Sequence, residues 1–271
     1  MKRICLAALG AALCSAPSLA DHSWGPYHWA RTTTSFDLTI VNSTTPDWDG
    51  YVTQAIADWS KPESPLTMLD VPDTDDSKTR RRCQGPNGQV RICNLAYGNT
   101  GWLGVAGISI DTAGHIVTGY TKLNDTYFAD PFYNNDMWKQ SVTCQELGHN
   151  VGLGHQDENF NNTSLFSCMD YQNPPYEYPN AHDYDQLQTI YGHTDAYDSY
   201  VTAADSGGGG GGGGGGCNGR GRGCGKDGSA GFAGEAGWGI SLGRRGQHET
   251  FLRVDPDGTR HLTHVTWAIG F

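Results

Sequence analysis

The sequence is poor in basic side chains, in long apolar runs and in paired cysteine motifs. Lys and Arg together number 18 in 271 residues, against 29 Asp and Glu, and the formal net charge is −11. The acidic excess lies in residues 21–206, which argues against nucleic acid or an anionic membrane as the partner of that region. After residue 20, no apolar run approaches the roughly 20 residues of a membrane span. No C-x2-C pair occurs, so a zinc site built from cysteines is not expected.

Glycine has an ordinary frequency in residues 1–206 and is concentrated in the rest of the chain. Residues 207–271 hold 23 of the 38 glycines, ten of them consecutive at 207–216. The absence of a G-X-Y period excludes a collagen-like segment, and such a glycine run predicts a flexible linker. We therefore expect a main domain at 21–205, a Gly-rich linker at 206–235 and a small β-hairpin element at 236–271.

Residues 1–20 have the pattern of a secretory signal peptide: Lys2 and Arg3, an apolar run, then small residues before a cleavage site. We therefore expect a secreted, extracellular protein that keeps six cysteines. Six cysteines in an oxidising compartment suggest three disulfides. Close spacing favours Cys83–Cys93 and Cys217–Cys224 and leaves Cys144 with Cys168, although the sequence alone permits other pairings.

Hydrophobic periodicity predicts a mixed α/β or α+β main domain. We expect residues 60–102 to be irregular, and we expect His115 to lie on the surface and to bind no ligand. A hairpin around the turn at 255–258 would be marginal alone, so it should dock on the main domain, associate or stay loosely ordered. The predicted strands are 35–41, 105–110, 116–123, 249–254 and 260–269, and the predicted helices are 46–59, 138–151 and 183–191.

The most informative segment is residues 144–155, CQELGHNVGLGH. Gln145 and His149 are four positions apart, so they share one helix face, and Glu146 follows the first of them. Gly152 permits a sharp turn out of the helix, which would bring His155 back toward His149.

This segment resembles the H-E-x-x-H-x-x-G-x-x-H pattern of the metzincin zinc peptidases, with Gln145 in place of the first His. Residues 167–171 resemble the Met-turn of that family, with Met169 beneath the metal, and residues 183–192 resemble the closing helix of matrixin-type domains. The resemblance implies an α+β zincin domain with a twisted mixed sheet, an active-site helix, a Met-turn and a C-terminal helix. Because the Met-turn passes beneath the active-site helix, a Cys144–Cys168 disulfide fits the same family.

The resemblance also implies a function, that of a secreted, bacterial-type matrixin-like zinc metalloendopeptidase. One catalytic zinc would be held by His149, His155 and Gln145, and Glu146 would act as general base toward a zinc-bound water. Tyr171 would contact the metal or the oxyanion. The substrate would be a protein or peptide, and a monomer is expected. Calcium is compatible with the acidic domain, but no ligand loop can be assigned to it.

Gln145 leaves three outcomes open at this point. Its amide oxygen could ligate the zinc, water or another side chain could supply the third ligand, or the protein could be an inactive relative that binds without cleaving. The tail at 207–271 could instead act as an attachment module. Residues 21–34 contain no Cys, so no cysteine-switch pro-segment is visible there.

Overall fold

The computed structural model describes residues 22–201 and 237–271. The predicted signal peptide at 1–20, the predicted linker at 206–235 and the predicted Cys217–Cys224 disulfide lie outside the described residues. The described residues form a mixed α+β fold in which a sheet makes up most of the core and the helices are few. Among them, no helix has the length and apolarity needed to cross a membrane.

The described strands are β1 His28–Trp29, β2 Phe36–Ser43, β3 Leu66–Pro72, β4 Val90–Leu95, β5 Trp102–Ile110, β6 His115–Asn124, β7 Ile240–Arg245, β8 His248–Val254 and β9 Arg260–Trp267. They join in one nine-stranded sheet of order β3-β2-β4-β6-β5-β9-β8-β7, with β1 paired to β6 outside this path. Pairing is parallel from β3 to β6 and antiparallel from β6 through β5, β9 and β8 to β7.

The two long helices pack against each other and on the sheet. The helices are α1 Pro46–Trp59, α2 Ser77–Arg82, α3 Asp125–Phe128, α4 Asp136–Asn150 and α5 Ala181–Ile190. Side-chain caps fix the start of two of them: the Asn135 side chain accepts from the Trp138 N–H at the start of α4, and Asn180 forms a capping box with Asp183 at the start of α5.

The predicted elements with clear periodicity are confirmed to within a few residues, but the prediction that 60–102 is irregular is wrong. That segment forms β3, α2 and β4. β4 gains its stability from parallel pairing with β2 and β6 on its two sides, which no local pattern reveals. α2 buries none of its side chains and depends on an Asp76 cap, so it has no apolar stripe to detect.

The C-terminal hairpin docks on the main domain, which is the first of the three outcomes expected from the sequence. β9 runs antiparallel along β5 from Trp102 to Ile110, and β8 and β7 extend the same sheet. The interface has its own small core, which includes Trp102, Val105, Trp238, Val265 and Trp267. The C-terminal strands are therefore a continuation of the central sheet.

The segment around Met169 lies close beneath α4, because Gly148 has no side chain there and a disulfide joins the segment to the helix. Met169 is fully buried, and a Cβ placed on Gly148 would lie 2.7 Å from the Met169 Sδ. The Cys144–Cys168 disulfide joins α4 to the same turn, and Cys83–Cys93 is also formed. Both of these predicted pairings are confirmed.

We predict that Gly148→Ala lowers the free energy of unfolding by about 1–2 kcal/mol, because overpacking against Met169 outweighs the gain in helix propensity. The new methyl would also lie 2.8 Å from the buried Trp59 ring. Gly50→Ala in α1 is the matched control, since its Cβ would meet no described atom within 4 Å, and it should stabilise by about 0.5–1 kcal/mol. Urea titration of both variants measures the difference, and equal effects would contradict this placement of Met169.

Candidate metal centre

Helix α4 presents Glu146 and His149 to the sheet, and both side chains are buried. The chain then turns at Gly152, whose φ of +92° favours glycine. The turn brings the ring of His155 to 4.7 Å from the ring of His149, centroid to centroid. The sequence-based prediction that Gly152 returns His155 to His149 is therefore met by the structure.

A third imidazole enters from β9, more than a hundred residues further along the chain. The His264 ring lies 4.0 Å from that of His149 and 4.7 Å from that of His155. One ring nitrogen from each of the three lies within 4.8 Å of the others. We call His149, His155 and His264 the three-histidine centre.

Strand geometry explains how His264 reaches α4. Residues two apart on a strand share a face, so His264 and Thr266 point the same way, and Val265 points into the opposite core. Their partners on β5 are Ala106 and Gly104. A Cβ on Gly104 would lie 2.7 Å from the Glu146 Oε1, so small residues on β5 make room for α4 and for the two β9 side chains.

One ring nitrogen of each histidine in the three-histidine centre has no hydrogen-bond partner in the part of the chain that the structure describes. The His149 Nδ1 lies 2.8 Å from the Leu153 carbonyl oxygen, so this nitrogen carries the proton and donates it. The His264 Nδ1 faces the Glu146 Oε2 at 3.4 Å. The Nε2 atoms of all three histidines are buried and have no hydrogen-bond partner among the described residues.

Buried polar atoms without partners are costly, and three converging imidazole nitrogens are a ligand set that zinc prefers. Burial, followed by the neighbouring imidazoles, lowers the pKa of His149 to about 3, and burial lowers the pKa of His264 to about 3. Burial also lowers the pKa of His155 well below its usual value. All three rings are therefore neutral, which is the form that ligates metals, and the residues fit a zinc ion.

Glu146 lies beside this centre and is fully buried. The Thr266 hydroxyl donates to its Oε1 at 2.7 Å, and its Oε2 faces His264. Burial raises the pKa of Glu146 to about 7, against the lowering effects of His149 and Thr266. The carboxyl group is thus positioned by two side chains of β9.

Gln145 occupies the position that the motif assigns to the first ligand, and its side chain contacts β9. Its Oε1 lies 3.0 Å from the Thr266 hydroxyl oxygen and competes for the single proton of that hydroxyl with the closer Glu146 Oε1. A cavity beside it is lined also by Phe160, Pro175 and His248. The third imidazole of the centre comes from His264, and Gln145 as a metal ligand stays a prediction.

Tyr171 packs against the centre through its ring. The ring centroid lies 4.2 Å from that of His155 and 3.8 Å from that of His248, with which it stacks. His248 comes from β8, where it is paired with Thr266, so it approaches the centre from the same face of the sheet as His264. Tyr171 is buried, and its role toward metal or oxyanion stays a prediction.

Sequence reasoning missed His264 and His248 because both lie in the segment assigned to a separate hairpin. A signal was present: His264 occupies an inward position of β9, two residues from the buried Leu262. The sequence also predicted a surface position for His115, and the structure shows this side chain half-buried. The His115 side chain is 15 % exposed and lies against His28 and Asp195.

Comparison with known proteins leaves the family open. No protein-family model matches the chain, and no curated protein matches it. Among solved structures, the chain is similar to that of myroilysin, with 13% sequence identity, a TM-score of 0.36, and coverage of 64% of this chain and 98% of that one. This likeness is too weak to indicate a function. The function is therefore inferred from the geometry of the site.

Proposed function

We propose that the protein is a secreted zinc-dependent metalloendopeptidase whose ion is held by His149, His155 and His264. The observation that carries the proposal is the convergence of three buried Nε2 atoms beside a buried carboxyl group, none of the three with a hydrogen-bond partner in residues 22–201 and 237–271. The finer fold assignment, a metzincin-like zincin domain, belongs to the same proposal. Met169 packed beneath α4 and the turn at Gly152 support it.

Three protein ligands are the number found in catalytic zinc sites, which keep a position for water or substrate. When bound, zinc would supply Lewis-acid polarisation of the peptide carbonyl and would make water a stronger nucleophile. The chain itself would supply the neutral imidazoles. The Leu153 carbonyl holds the His149 ring through Nδ1, and Glu146 does the same for His264.

Glu146 would act as the general base and acid of the reaction. Its carboxylate would accept a proton from the attacking water and return that proton to the leaving amine. The Thr266 hydroxyl fixes the orientation of this carboxylate through Oε1. The substrate would be a protein or peptide.

One observation favours a second candidate function, a metal-holding binding protein that does not cleave. Glu146 is fully buried, and both of its oxygens are engaged by side chains of β9. In that case the carboxylate would only orient His264, and zinc would clamp the C-terminal strands to α4. The two candidates differ in what Glu146 does, and that difference can be measured.

We predict that His264→Ala weakens zinc binding by more than about 100-fold, since loss of a direct ligand exceeds the usual effect of an outer contact. His261→Ala on the same strand is the control, because His261 binds Ser109 and Asp255 instead, and it should leave the affinity unchanged. Gln145→Ala should also keep its zinc. Competition with a chromogenic chelator measures all three, and zinc loss in Gln145→Ala with retention in His264→Ala would contradict the ligand set.

We predict that Glu146→Gln lowers the rate of casein cleavage by about 10²–10⁴-fold, the usual contribution of a general acid–base. The substitution keeps the shape of the side chain, so the zinc content should remain within a few-fold of that of the unaltered protein. The assay compares cleavage rate and zinc content on the same preparations.

The two candidate functions give different results in this assay. Cleavage by the unaltered protein and its loss in Glu146→Gln, at equal zinc content, support the peptidase. A zinc-loaded protein that cleaves no unfolded substrate, with Glu146→Gln losing zinc, supports the binding protein and overturns the peptidase.

A further inference from the structure

A second group of histidines lies around Asp195, and none of its members belongs to the three-histidine centre. His28 comes from β1, His115 is the first residue of β6, and Asp195 follows α5. A ligand atom from each of these three lies within 4.8 Å of the others. His193 lies beside them and is the most exposed of the four.

Four of the six distances between the candidate ligand atoms are close to those around a tetrahedral metal. The Asp195 Oδ1 lies 3.4 Å from the His28 Nε2, 3.4 Å from the His115 Nε2 and 3.6 Å from the His193 Nε2. The Nε2 atoms of His28 and His193 are 3.1 Å apart. Four ligands at about 2.0–2.1 Å from zinc stand about 3.3 Å from one another.

The proton on the His115 ring can be assigned from its partners. The Tyr197 hydroxyl donates to the Asp111 Oδ2 at 2.7 Å, so its oxygen is left to accept from the His115 Nδ1, also at 2.7 Å. The His115 Nδ1 therefore carries the proton. A neutral ring then has a lone pair on Nε2, which faces the carboxylate of Asp195.

The His28 ring has the same arrangement. Its Nδ1 lies 3.1 Å from the Pro26 carbonyl oxygen, which can only accept, so Nδ1 donates and a neutral ring keeps its lone pair on Nε2. The Asp195 Oδ2 accepts from the Arg31 N–H at 2.9 Å, and this holds Oδ1 toward the histidines. Hydrogen bonds of this kind on the far side of each ligand are typical of metal sites.

We propose that His28, His115, His193 and Asp195 form a second zinc site, distinct from the three-histidine centre. His28, His115 and Asp195 already converge, and His193, beside Asp195 and His28, would close onto them as the fourth ligand. Three imidazoles and one carboxylate would then form the four-ligand shell of a structural zinc. The ion would join the N-terminal strand, the turn that precedes β6 and the segment after α5. The exposed edge at His193, whose side chain is 52 % accessible, gives it an entry path.

This proposal does not depend on the proposed peptidase function. The alternative arrangement is a set of protonated imidazoles paired with Asp195, which needs no metal. The two differ in composition, because a metal site retains an ion after dialysis and the ion pairs retain none.

The test counts zinc per chain in the full-length protein after dialysis against metal-free buffer. A His149→Ala/His264→Ala variant removes ligands of the three-histidine centre and should still hold one zinc. Adding His115→Ala to this variant should reduce the content to none. Replacing His261 with Ala in the same background is the control and should leave one zinc.

The unaltered protein is a second route in case the double variant does not fold. It should hold one zinc more than its His115→Ala variant, and Tyr197→Phe should bind this zinc about 10-fold more weakly because the Nδ1 partner is lost. Cobalt at the site should show the visible absorption of a tetrahedral ion. Equal zinc content with and without His115→Ala, in folded proteins, would overturn the proposal, as would a folded double variant that holds no zinc.

Discussion

The antiparallel pairing of β9 with β5 is the contact on which the rest of the site depends. It sets which face of β9 meets α4, and it brings Thr266 and His264 opposite Gly104 and Ala106. The same pairing covers the edge of β5 and buries Trp267 and Val265 in a separate small core. An error of one residue in this register would turn His264 away from α4.

The three-histidine centre therefore joins parts of the chain that are far apart in sequence. His149 and His155 are local to one helix and one turn, and His264 comes from the C-terminal strands. Because a metal site of this kind does not exist in an unfolded chain, the free energy of metal binding would also favour docking of those strands. The C-terminal segment, expected to be a tethered element, is thus part of the structure that surrounds the candidate metal.

Local patterns in the sequence predicted the helices and turns that neighbouring residues determine. The ranges of α1 and α4 and the return of His155 at Gly152 follow from residues within one or two turns of each other. β3 and β4 were not predicted because parallel pairing with β2 stabilises them. His264 was missed for a related reason: which side chains meet across a sheet depends on strand register, and register between distant strands is not visible in one sequence.

The motif lacks an imidazole for the third metal ligand. Gln145 stands where the resemblance expects an imidazole, and the structure brings an imidazole to the site from β9. His115 shows the converse limit, since it sits at a turn and has no motif around it. Its partners His28 and Asp195 come from opposite ends of the main domain.

In the proposed metal centre, His264 is the third ligand in place of Gln145. Anomalous X-ray diffraction from crystals of the zinc-loaded protein, collected on both sides of the zinc absorption edge, distinguishes the two ligand sets. A zinc peak is expected about 2.0–2.1 Å from the Nε2 atoms of His149, His155 and His264. A peak bound by the Gln145 Oε1, with His264 outside the coordination shell, would contradict this assignment.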